Sequence, residues 1–123
     1  MALGIPVPIL RMFDESKTRE FYCDFLGFTV DWEHRFEEGT PLYMQISLGG
    51  CVLHLSEHFG DANPGAALRI PTTDLDTFVA GLNEKRYKYA RPGIQDQPWG
   101  RDCKIGDPSG NRLIFFAPRA AAD

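Results

Sequence analysis

The chain has 123 residues, 43% of them hydrophobic, and a formal net charge of −4, which is enough for one domain burying roughly two-thirds of the surface exposed when unfolded. The mildly acidic balance disfavours a polyanionic partner, so no nucleic acid is expected. No apolar run approaches the roughly 20 residues that cross a bilayer, and Met1 to Leu10 lacks a basic leader and is broken by Pro6 and Pro8, so the expectation is a cytoplasmic protein with no membrane partner.

Ile5 to Met12 reads as a short buried strand. Its prolines cannot donate to a ladder, which puts it at an edge or a hinge, where exchange with another chain is easy. Asp14 then caps a helix whose Phe21, Tyr22, Phe25 and Leu26 recur at helical spacing, and Gly27 ends it. Phe28 to Arg35, Leu42 to Leu48 and Val52 to Glu57 read as three strands joined through Glu38-Gly39-Thr40-Pro41 and Gly49-Gly50. After a polar link the order restarts: Ala66 to Ile70 as a strand, Thr73 or Asp74 capping a helix with Leu75, Phe78, Val79 and Leu82 on one face, an irregular strand within Tyr89 to Gln97, then Gly100 to Gly106 and Arg112 to Ala117.

The offset between the halves is about sixty residues and rests on element order alone. The predicted fold class is α+β, two tandem βαβββ units. They occupy about residues 4–57 and 65–118 within a single domain over 1–118, with 119–123 a flexible tail.

Gln97-Pro98-Trp99-Gly100-Arg101 leads through Asp102 and Cys103 into the turn Asp107-Pro108-Ser109-Gly110-Asn111. A large aromatic beside glycine at a strand entrance suits a site that stacks a flat ligand; alternatively Trp99 closes one end of the fold as core and Gly100 relieves a bend. Arg101 either pairs with Asp102 or lines the site.

Alternation puts Trp32, His34 and Phe36 on one side of the second strand and Asp31, Glu33 and Arg35 on the other. Tyr43, Gln45 and Ser47 share a face opposite Leu42, Met44, Ile46 and Leu48, which leaves a hydroxyl and an amide to orient a ligand. Val52, His54 and Ser56 share a face of the next strand, where His54 is either a ligand contact or a hydrogen-bonded interior histidine.

Cys23, Cys51 and Cys103 are odd in number and outside any C-x-x-C spacing, so they read as thiols in a reducing compartment. No nucleophile elbow, phosphate-cradling loop or Ser/His/Asp order is visible.

The tandem units, Glu20-Phe21-Tyr22, Leu26-Gly27-Phe28, the aromatic and glycine after the second helix, and the Asp-Pro-Ser-Gly-Asn turn together resemble the vicinal oxygen chelate superfamily. Within it, the Gln97 to Arg101 and Asp107 to Asn111 motifs are similar to the bleomycin resistance proteins. The resemblance implies a concave cleft and a homodimer with the first strand exchanged. It also implies non-catalytic sequestration of a cationic, partly planar bleomycin-type glycopeptide, with Trp99 stacking on the drug's flat part. Trp32 or Phe36 would form the opposite wall, and Glu37, Glu38, Asp61, Asp96 and Asp102 would either offer a negative rim or be solvated surface.

In the superfamily's metal enzymes four positions supply the ligands, and these fall on Val7, His54, Ala66 (or Ala67) and Ile114. Only His54 can bind an ion, so neither metal nor any other cofactor is expected. His54 and His58 stand roughly 13 Å apart along an extended strand, and His34 lies about 10 Å away, two strand spacings from His54. The expected site is therefore Trp99, Gly100, Trp32, His34, Phe36, Tyr43, Gln45, His54, Arg101 and Asp102, with no catalytic residue. The alternative is a glyoxalase-like, metal-dependent lyase or dioxygenase acting on a small metabolite.

Overall fold

Pro6 and Pro8 delay the first strand: in the computed structural model, which describes residues 2–118, β1 spans only Ile9–Arg11. The segment before it is exposed, Leu3 and Ile5 at 91% and 90%, so the strand expected from Ile5 is shorter and only Leu10 and Met12 reach the core. The tail expected over 119–123 lies outside the described residues. The chain divides into two compact units, Met1–Pro64 and Gly65–Asp123.

In the first unit the side chain of Asp14 accepts from Lys17 N at 2.9 Å and starts α1, Glu15–Arg19. The helix continues as a π-helical turn over Glu20–Phe25, where Leu26 N donates five residues back to Phe21 O at 3.0 Å. Phe21, Tyr22 and Phe25 are buried there, with the rings of Phe21 and Tyr22 edge to face at 4.9 Å. Gly27, at φ 94°, turns the chain out of the helix.

Strands β2 (Thr29–His34), β3 (Tyr43–Leu48) and β4 (Cys51–Ser56) follow, giving a sheet of order β1-β4-β3-β2. β1 lies at an edge, just after Pro6 and Pro8, and runs parallel to β4 of its own chain, Ile9 opposite His54. Glu33 and Arg35 reach α1 through ion pairs with Arg19 and Glu15. The helix therefore covers the face that carries Met44, Ile46, Leu53 and Leu55, all buried, each contributing about 1.5–3 kcal/mol of hydrophobic stabilisation.

The second unit repeats the order: β5 Ala67–Pro71, α2 Leu75–Glu84, β6 Gln95–Gln97, β7 Gly100–Gly106 and β8 Arg112–Pro118, in a sheet ordered β5-β8-β7-β6. Arg69 pairs with Ile114 as Ile9 pairs with His54, which reproduces the offset of about sixty residues at the level of strand register. Phe78 of α2 packs on Phe115 of β8 at 4.9 Å between rings.

Two local expectations change. Asp74 does precede α2, but in the left-handed region at φ 56° and without a side-chain cap. The strand expected within Tyr89 to Gln97 forms only over its last three residues, because Pro92 lacks an N–H and its carbonyl is taken by Asn83 Nδ2 at 2.9 Å. Among the described residues no helix is long and apolar enough to cross a membrane.

Candidate functional site

The face of the first sheet away from α1 carries a connected polar and aromatic cluster. Trp32 stands opposite Gln45, and His34 opposite Tyr43, but the ladder slips between Val30 and Trp32. That bulge leaves Asp31 as an extra residue on the same face as Trp32, not the opposite one that simple alternation gives. Its carboxylate accepts from Gln45 Nε2 and Ser47 Oγ, both at 3.0 Å.

These contacts fix the polarity of the whole chain of hydrogen bonds. A carboxylate only accepts, so the Gln45 amide turns its NH₂ to Asp31 and its Oε1 to His54. His54 Nε2 then carries the proton and donates to Oε1 at 3.0 Å, and His54 Nδ1 accepts from Tyr43 Oη at 2.6 Å. Burial, then the charge of Asp61, pushes the Tyr43 phenol above its ordinary range and keeps it a donor. The rings close over this network, Trp32 stacked on Tyr43 at 5.9 Å and edge-on to His54 at 5.3 Å. Histidine 54 is thus both half-buried and fully engaged, with Tyr43 and Gln45 as its supports. His34 is exposed, and Phe36, 84% exposed, lies past the end of β2 beside the His34 ring.

In the second unit Pro98 and Trp99 form the two-residue turn between β6 and β7, with Gln97 opposite Gly100. The Trp99 indole is 39% exposed. It meets Phe116 edge to face at 5.9 Å, and the Arg69 guanidinium lies 4.5 Å from the Trp99 ring and 4.3 Å from the Phe116 ring. Gly100 is buried.

Arg101 does not pair with Asp102. It points to the helix side of β7 and meets Asp76 of α2 through Nη1 at 3.1 Å and Nη2 at 2.6 Å. Those hydrogen bonds hold the Asp76 carboxyl below its ordinary range and raise Arg101. Asp102, on the opposite face, is 2% exposed and accepts from Gln97 Nε2 at 3.4 Å, so it is no part of an exposed acidic rim. Glu37, Glu38, Asp61 and Asp96 are exposed.

Sequence patterning missed Asp31, because a bulge leaves no signature in alternation. It missed Arg69 and Phe116 because their meeting with Trp99 depends on the pairing of β5 with β8. A strict sixty-residue offset between the halves would have placed Arg69 level with Ile9.

A catalytic metal of the kind the resemblance brings to mind does not fit these residues. Among the described residues no three His, Cys, Asp or Glu side chains converge on a point. His54 already uses both ring nitrogens, and a cation would have to displace Tyr43 or Gln45 to reach either.

A family model described as glyoxalase superfamily protein matches residues 2–122. The chain belongs to the glyoxalase superfamily. Among members of related sequence, bleomycin resistance proteins of Geobacillus stearothermophilus and Staphylococcus aureus are 28% identical to it over 129 aligned residues, covering 89% of this chain and 93% of theirs. TnmS3, an antibiotic binding protein from Streptomyces sp. CB03234, superposes with a TM-score of 0.73 at 25% identity over 96% of this chain and 98% of its own. A bleomycin-binding protein solved in complex with bleomycin shares the superfamily fold, with a TM-score of 0.69 at 23% identity over 95% of this chain and 100% of its own.

Proposed function

We propose that this glyoxalase superfamily member binds and sequesters a bleomycin-type glycopeptide antibiotic without making or breaking a bond. The observation that carries the proposal is the state of His54: held at both nitrogens beneath Trp32 and Tyr43, it is built to orient a ligand, not to hold a reactive ion. In the first unit exposed Trp32 supplies stacking surface, with the exposed acids Glu37, Glu38 and Asp61 available to a cationic end; in the second unit exposed Trp99 supplies stacking surface and Asp96 is exposed, each stack worth about 0.5–1.5 kcal/mol beyond area.

The related resistance and antibiotic-binding proteins support this ligand class. In this reading the protein acts in the cytoplasm as a homodimer that exchanges its first strand, for which the exposed apolar Leu3 and Ile5 supply the adhesive surface.

The test is calorimetric titration with metal-free bleomycin, followed by mass analysis of the recovered drug. The expected result is stoichiometric, reversible binding in the micromolar to nanomolar range, about −8 to −12 kcal/mol, with the drug unchanged. Purified protein that holds a tight divalent ion, and loses both ion and a lyase or dioxygenase activity on His54→Ala, would instead establish the metal-dependent alternative.

A further inference from the structure

We propose that the face of the second sheet opposite α2 is a receptor for a planar aromatic carboxylate, with Arg69 as the group that selects the negative charge. The proposal shares Trp99 with the reading above and rests on it for that stacking platform alone. The sign of the ligand's charge is inferred independently.

Register fixes what this face carries. Arg69, Ile114 and Lys104 stand in one row across β5, β8 and β7, flanked on one side by Phe116 and Asp102 and on the other by Arg112. Its one acid, Asp102, is buried, whereas Arg69, Lys104 and Arg112 are all exposed. None of these three cations takes part in an ion pair among the described residues. In a chain with net charge −4, this sheet face is a local reversal of sign. Arg101 shows the contrast: one step along β7 it faces the helix and is neutralised by Asp76.

Arg69 is also held in place. Its guanidinium sits in the corner between the Trp99 and Phe116 rings, which are set at 79° to each other. Stacking restrains a planar cation while leaving its edge N–H groups to donate, in the fork geometry that fits a carboxylate. Restraint before binding lowers the entropic cost of ordering the side chain when an anion arrives. An arene lying against the exposed part of Trp99 would bring a ring-borne carboxylate to that fork, with Lys104 and Arg112 adding field from the same face. A ring carrying an ammonium group would meet three like charges there.

The test uses Trp32→Phe protein, in which Trp99 is the single tryptophan of the two in the chain, and follows its indole N–H by NMR. The probes are 1-naphthoate and 1-naphthylmethylammonium, alike in ring and opposite in charge. Naphthoate is expected to shift the Trp99 signal with a Kd at least about tenfold below that of the ammonium probe. Arg69→Gln is expected to abolish that preference with the circular dichroism spectrum unchanged, and Arg69→Lys to restore part of it.

Equal binding of the two probes, a naphthoate preference that survives Arg69→Gln, or no naphthoate shift at all would overturn the proposal. Bleomycin titrated into the parent protein, with both tryptophans in place, separates the two readings. Arg69-dependent naphthoate binding without bleomycin binding leaves this inference standing and removes the antibiotic, and the reverse pattern removes only the anion receptor.

Discussion

Tyr43 Oη and His54 Nδ1 stand 2.6 Å apart, on neighbouring strands whose register sets Gln45, not Tyr43, directly opposite the histidine. The phenol reaches diagonally across the ladder to the ring nitrogen that the Asp31–Gln45 chain leaves without a proton. Neutral His54 is therefore expected as the Nε2–H tautomer, visible in its imidazole nitrogen shifts. Tyr43→Phe is expected to leave Nδ1 without its donor and to lower unfolding stability by about 1 kcal/mol in urea titration. Gln45→Leu, which strips partners from both His54 and Asp31, is expected to cost more.

Thr18 is 1% exposed, and its Oγ1 has no hydrogen-bond partner. A buried hydroxyl without a partner opposes folding, since water satisfied it in the unfolded chain. Thr18→Val keeps the shape and removes that polar atom, so it is expected to raise stability by about 1 kcal/mol, read as a higher urea midpoint at unchanged slope.

Asp107 organises the turn before β8. Its Oδ1 accepts from Ser109 N and Asn111 N, each at 2.8 Å, and its Oδ2 accepts from Asn111 Nδ2 at 2.9 Å. The buried Asn111 in turn accepts from Ala66 N at the start of the second unit. Asp107→Ala is expected to cost about 2 kcal/mol or more and to speed amide exchange at Ser109 and Asn111. Asp107→Asn, which keeps one carbonyl acceptor, is expected to lose less.

Acid should weaken the tie between α1 and the strand side of its sheet. Burial alone would lift the Glu15 carboxyl, but hydrogen bonds and charge from Arg19 and Arg35 outweigh it and hold the group below its ordinary value. A carboxyl lowered on folding stabilises the protein above its unfolded pKa, and that contribution drains away as pH falls through the native value. Glu15→Gln is therefore expected to be less stable than the parent by about 0.2–1 kcal/mol at pH 7, as for a half-exposed pair, with the gap closing below the ordinary carboxylate range. The Asp76–Arg101 pair, exposed and lowered in the same direction, should add to the same acid limb.

Residue chemistry alone determined the α+β class, the two βαβββ units and the face shared by Tyr43, Gln45 and Ser47, because helical and strand periodicities are local. The tertiary structure decided what no periodicity encodes: that a bulge turns Asp31 toward Gln45, that Arg101 faces Asp76 across to α2, and that Arg69 rests between Trp99 and Phe116. Each depends on strand register or on contact between residues far apart in sequence, and one slipped position in a ladder sends a side chain to the opposite face.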